Sequence, residues 1–150
     1  MKKNIRKISI FLVFLFLFNT TAFASEINIA RSSSYITKTS VSIKPLANYQ
    51  IRVSFAIQGT DTMSELGATT IYLYEDDGNS TRLAKTYRST DPNYPNMMAQ
   101  NTFYHGSNVI YDGIAGYKYY ASVHFKAGDS TGSDTTVGQT YVVTAQNNPA

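Results

Sequence analysis

Residues 50–58, Gln50-Ile51-Arg52-Val53-Ser54-Phe55-Ala56-Ile57-Gln58, decide the fold class. In an extended chain Ile51, Val53, Phe55 and Ile57 fall on one side, while Gln50, Arg52, Ser54 and Gln58 fall on the other. A period of two, with β-branched and aromatic residues on the apolar side, predicts a half-buried strand. The preceding stretch alternates in the same way. Tyr35, Thr37, Thr39, Val41 and Ile43 face one side there, and Ile36, Lys38, Ser40, Ser42 and Lys44 the other. Pro45 ends it, and the two lysines suit an edge strand, where charge discourages pairing with another chain.

Working outward in the other direction, Gly59–Gly67 reads as a connection, and Thr62-Met63-Ser64-Glu65 fits a capping box that predicts one short helical turn. A third strand is expected over 68–75, with Ile71 and Leu73 inward and Thr70, Tyr72 and Tyr74 outward. Asp76-Asp77-Gly78-Asn79 predicts a tight hairpin, because Asp-Gly readily takes positive φ. A fourth strand follows over 80–87, then a loop over 88–98 punctuated by Pro92 and Pro95, then a fifth strand over 99–105. Residues 107–115 are ambiguous. In a sixth strand Tyr117, Tyr119, Ala121, Val123 and Phe125 alternate with Lys118, Tyr120, Ser122, His124 and Lys126. Residues 127–138 read as a Gly/Ser/Thr/Asp loop and 140–144 as the seventh strand.

About seven short strands with turn signals, and no long amphipathic helix, predict an all-β antiparallel sandwich of immunoglobulin-like or fibronectin-III-like type. Gly116-Tyr117-Lys118-Tyr119 resembles the tyrosine corner of such domains, with Tyr119 as the residue whose hydroxyl pins the incoming loop. The pattern departs from the families in two places: no Pro precedes Gly116, and no Trp stands on the third strand. A second resemblance rests on Arg31 through Ile36, Met63 through Leu66-Gly67-Ala68 into Ile71, and Gly116 through Tyr119 to Val123 and Phe125. These runs resemble a domain-of-unknown-function family of small exported proteins from clostridial-type Gram-positive bacteria. That family implies no catalytic residue.

The N-terminus predicts export. Lys2, Lys3, Arg6 and Lys7 precede an apolar run from Ile8 to Phe18 broken only by Ser9, and Ala22-Phe23-Ala24 forms a small-residue cleavage site before Ser25. The apolar run would span roughly 16 Å as a helix, about half of a bilayer core. The expectation is a cleaved signal over residues 1–24 and a secreted single domain over 25–150, with no membrane attachment after cleavage. Four of the 13 Lys and Arg precede Ala24, whereas all ten Asp and Glu follow it, so the mature part carries nine positive charges against ten negative. The net charge of +3 belongs to the signal, and with it any apparent case for nucleic-acid binding.

Chemistry is sparse. There is no cysteine, which excludes disulfides and thiol catalysis. The carboxylates other than Glu75 fall in expected turns, loops or the N-terminal lead-in, and His105 and His124 belong to no metal-binding spacing. No catalytic, cofactor or metal residue is therefore assigned. An extracellular hydrolase would have to use a loop-borne site around His105, Asp112 or Asp91, and a self-assembling surface component would use edge strands. The distinctive feature is tyrosine: all 12 lie after Ala24, with only Phe55, Phe103 and Phe125 beside them and no Trp. In an immunoglobulin-like topology the third and sixth strands are neighbours. That would gather Tyr72, Tyr74, Tyr120, Thr70, Ser122 and His124 into one aromatic-polar surface suited to a cell-surface or secreted protein, or to a glycan.

Overall fold

The computed structural model describes residues Ser33–Asn148, so the expected cleavage site at Ala24 and Ser25 lies outside the described residues. Nine strands occur among them: β1 (Ile36–Pro45), β2 (Gln50–Met63), β3 (Glu65–Asp76), β4 (Thr81–Arg88), β5 (Met98–Ala99), β6 (Thr102–Asp112), β7 (Lys118–Gly128), β8 (Ser133–Gln139) and β9 (Val143–Thr144). They form two antiparallel sheets. One has the order β1-β2-β6; the other runs β4-β3-β7-β8, with β5 paired to β3 and β9 to β7. Seven principal strands in this order make an immunoglobulin-like, fibronectin-III-like sandwich. Strand β4 stays beside β3, unlike the immunoglobulin constant arrangement, in which the fourth strand joins the opposite sheet.

The core is the meeting of two inner faces. Ile43, Ile51, Val53, Phe55 and Ile57 come from the three-stranded sheet; Ile71, Leu73, Ala121, Val123 and Phe125 come from the other, and all are buried. Phe55 and Phe125 meet edge to face across the middle, with ring centroids 6.1 Å apart. That geometry satisfies the ring quadrupoles while excluding water from both rings. Tyr87 is buried too, and its hydroxyl crosses from β4 to donate to the Ile110 carbonyl on β6 at 3.2 Å, tying the two sheets together.

Two of the bulges fix which side chains of β1 and β3 point inward. Ile36 and Ile43 are both buried although an odd spacing should put them on opposite faces. A register shift between Ile36 and Lys38 reconciles them, so the simple alternation expected for this strand fails at its start. In β3, Leu66 and Ala68 are buried before a shift between Ala68 and Thr70, and Ile71 and Leu73 after it. Thr70, Tyr72 and Tyr74 therefore face outward.

Other sequence expectations are corrected. The capping box at Thr62–Glu65 forms no helical turn, because β2 runs to Met63 and β3 begins at Glu65. Its polar groups are engaged elsewhere: the Ser64 hydroxyl donates to the Gly128 carbonyl, and Glu65 pairs with Lys126 at 2.7 Å. Residues 107–112 belong to a single long β6. The expected loop over 127–138 contains the edge strand β8, and of residues 140–144 only Val143–Thr144 is extended. Strand β8 lacks an apolar stripe because Gly138 supplies part of its inner face. A Cβ there would stand 2.9 Å from Val41 and 3.3 Å from the Phe125 ring. The Asp76–Asn79 hairpin forms as expected, with Gly78 at φ 93° and the Asp77 carboxylate accepting from the Asn79 and Ser80 amides.

Candidate functional site: the outer face of the four-stranded sheet

The β3–β7 ladder sets the site. Tyr74 stands opposite Tyr120, Tyr72 opposite Ser122, and Thr70 opposite His124. The Tyr74 and Tyr120 rings are stacked at 4.9 Å with 12° between planes, and Tyr72 meets His124 edge-on at 5.2 Å. All six side chains are half-buried, so they lean on one another and still present a surface. The neighbouring strands extend the rows. Leu83 adjoins Tyr74, Thr86 adjoins Tyr72 and Arg88 adjoins Thr70 on β4; on β8, Gln139 adjoins Ser122 and Val137 adjoins His124. Leu83 and Val137 are 51% and 49% exposed, which flanks the aromatic centre with open aliphatic contact area.

Past the end of β8, between its pairing and that of β9, the same edge of β7 carries a further projection. The Thr140 amide donates to the Ala121 carbonyl, and pairing resumes with Val143 opposite Tyr119. Tyr141 and Val142 therefore stand as two residues against the single Tyr120, and they are 56% and 57% exposed. A two-against-one break bends the strand and turns its side chains out of the ladder.

A cleft opens at one end of the same face. Strand β4 ends at Arg88, opposite Thr70, and β5 takes up pairing with β3 only at Gly67 and Leu66. Between them, at the β3 bulge, lies a notch of about 540 Å³ lined mainly by Thr69, Thr70, Arg88, Ser89, Gln100 and Lys126. Gly67 is required here, since any side chain would collide with the Met97 carbonyl just ahead of β5. Lys126 is paired with Glu65, whereas Arg88 has no carboxylate within ion-pair distance among the described residues.

Tyr119 lies beneath this surface, fully buried. Its hydroxyl accepts from the Ile114 amide at 2.9 Å and donates to Glu75 Oε2 at 3.2 Å. Glu75 in turn accepts from Arg82 at 2.7 Å. This is tyrosine-corner geometry with a buried carboxylate added on the donor side, and Glu75 is the one carboxylate that the sequence places on a strand. Tyr119→Phe leaves the Ile114 amide and Glu75 each short of a partner, and is expected to cost about 1–3 kcal/mol. Urea denaturation of the two proteins measures it; a loss below about 0.5 kcal/mol would show that the hydroxyl holds nothing.

Burial, with the Glu75 carboxylate nearby, pushes the Tyr119 phenol up to about 12, and burial raises Tyr87 and Tyr111 as well. In the unfolded chain these phenols ionise near 10.0. Above that pH the unfolded state holds fewer protons than the folded one, so stability falls as pH rises. From neutral pH the expected profile is flat up to pH 10.0 and declines between there and about 12, followed by the urea midpoint against pH. A flat profile across that window would contradict buried, protonated phenols.

The residues considered for a loop-borne hydrolase site bond to three different groups. His105 Nε2 meets the Asn96 carbonyl at 2.8 Å, Asp112 accepts from Gln50 Nε2 at 2.8 Å, and Asp91 accepts from the Asn93 amide at 2.9 Å. Among the described residues no three His, Asp or Glu side chains gather where a metal ion could be held. Edge strand β6 carries caps of its own. The Thr102 hydroxyl bonds both the carbonyl and the amide of Tyr104, and Tyr87 occupies the Ile110 carbonyl. Such caps reduce the open hydrogen-bonding edge that intermolecular pairing needs.

Arg88 and Ser89 sit in a stretch that reads only as loop, and Gln100 in the expected fifth strand over 99–105, which the structure instead breaks between β5 and β6. The signal that bears on them is Gly67, a glycine within a strand, which marks close backbone approach. The fold thus defines the class: an immunoglobulin-like, fibronectin-III-like sandwich with an aromatic outer sheet. Comparison with protein-family models matched none, and comparison with curated proteins returned no significant match.

Proposed function

We propose that this is an exported, non-catalytic β-sandwich that binds a partner outside the cell through the outer face of its β4-β3-β7-β8 sheet. The observation that carries the reading is the paired aromatic centre, Tyr74 on Tyr120 and Tyr72 on His124, flanked by exposed Leu83 and Val137. Tyrosine supplies rigid contact area with a hydroxyl at low entropic cost, and the adjoining Thr and Ser side chains supply adaptable hydrogen bonds. Cross-strand tyrosine pairs contribute about 0.2–1 kcal/mol each to a sheet, but that role does not call for open aliphatic residues at their flanks.

Export rests on the three ordered parts of the N-terminal segment, and the nearly neutral mature charge argues against nucleic acid as the partner. The test is parallel capture on immobilised glycans and secreted proteins by the unaltered protein and by a Tyr72→Ala/Tyr120→Ala variant. A ligand retained by the first and lost by the second supports the face. A ligand held equally by both excludes it.

A further inference from the structure

We infer that the notch between β4 and β5 takes the carboxylate of an acidic saccharide whose ring rests against the adjoining Tyr72–His124 pair. The inference rests on the proposed binding role of the tyrosine face and names the chemistry that its polar end selects. The two are contiguous: Arg88, Thr70 and His124 form one row across β4, β3 and β7, and the notch opens beside that row.

Its chemistry is unlike the rest of the sheet. Arg88, Lys126 and Glu65 line the notch beside polar Thr70, Ser89 and Gln100, Met98 and Ala99 add apolar surface, and the Thr69 hydroxyl is already donated to the His124 carbonyl. A protein partner's anchor would call for a desolvated apolar or aromatic pocket. A lining of donors and acceptors suits a ligand that itself carries many hydroxyls.

The charge selects the group. Lys126 is compensated by Glu65 at 2.7 Å, which among the described residues leaves Arg88 as the cation of the lining with no carboxylate at ion-pair distance. One unbalanced positive charge matches a monoanion better than a doubly charged phosphate. The planar guanidinium offers the parallel pair of donors that a carboxylate accepts. Arg88 is exposed, at the end of its strand, so its fork is free to meet a ligand without unfolding anything.

The experiment is calorimetric titration of the protein with tetrasaccharides of hyaluronate and of galacturonate, each beside its carboxyl-reduced, uncharged counterpart. At least one acidic tetrasaccharide is expected to bind about tenfold or more tighter than its reduced form, the value of about 1.4 kcal/mol. Arg88→Met is expected to erase that preference, and Arg88→Lys to weaken it, because a point charge lacks the fork. Tyr72→Ala/Tyr120→Ala is expected to remove both acidic and neutral binding. Failure of every acidic form to bind, or a preference that survives Arg88→Met, overturns the notch assignment.

A blocked glutamate-rich peptide that binds more tightly than any saccharide makes the occupant an acidic protein segment and overturns the saccharide. The two readings separate cleanly. Loss of a partner in the tyrosine variant with no effect of Arg88→Met refutes only the notch. An effect of Arg88→Met with full binding by the tyrosine variant refutes the face.

Discussion

Phe125→Ala is expected to destabilise the protein by about 3–5 kcal/mol, the range for removing a fully buried aromatic ring. Phe125 has no exposed surface, packs edge-on against Phe55 from the opposite sheet, and is roofed by the Gly138 backbone. A cavity there cannot collapse easily, because one wall is main chain and another is a ring already held in contact. The adjacent residue gives the contrast. His124 points to the other face, so His124→Ala forfeits only the edge-on contact with Tyr72, about 0.2–1 kcal/mol. Urea denaturation should show the midpoint falling sharply for the first variant and little for the second, with unchanged slope. Equal effects would mean that β7 is out of register by one residue, which would turn its inner and outer faces over.

Tyr72→Ala with Tyr120→Ala is the second large effect, and it falls on binding. Central aromatic residues of an interface commonly contribute 2 kcal/mol or more each, so losing two should weaken association by about 10²–10³-fold. The fold should survive. Each ring contributes one cross-strand pairing, worth about 0.2–1 kcal/mol, and neither belongs to the buried set. The measurement is affinity for a captured partner, with circular dichroism confirming that both proteins are folded. Retained affinity in a folded variant would move the binding surface elsewhere.

Much of this architecture was legible because the strands that build the core alternate strongly. Residues 50–58 and 117–126 declare both period and inner face; Tyr120 is placed by the second of these, and Tyr72 and Tyr74 by Ile71 and Leu73 in 68–75. The β8 strand was not legible, because an edge strand roofed by Gly138 needs no apolar stripe. Nor was the missing turn at Thr62–Glu65: a local capping signal yields when Met63 is buried and Glu65 finds Lys126 across the ladder. The bulges at Ile36–Lys38 and Ala68–Thr70 are set by packing between sheets, which no local pattern records. The notch follows from the second bulge together with the replacement of β4 by β5, so Arg88 acquires its neighbours only in three dimensions.

Hydroxyl-radical footprinting of the protein, free and with a captured partner bound, reads which face is covered. Protection is expected at Tyr72, Tyr74, Tyr120 and His124, with Phe103 and Tyr104 of the opposite sheet still reactive. Protection of Phe103 and Tyr104 with the four outer-face residues unchanged would contradict binding through the outer face.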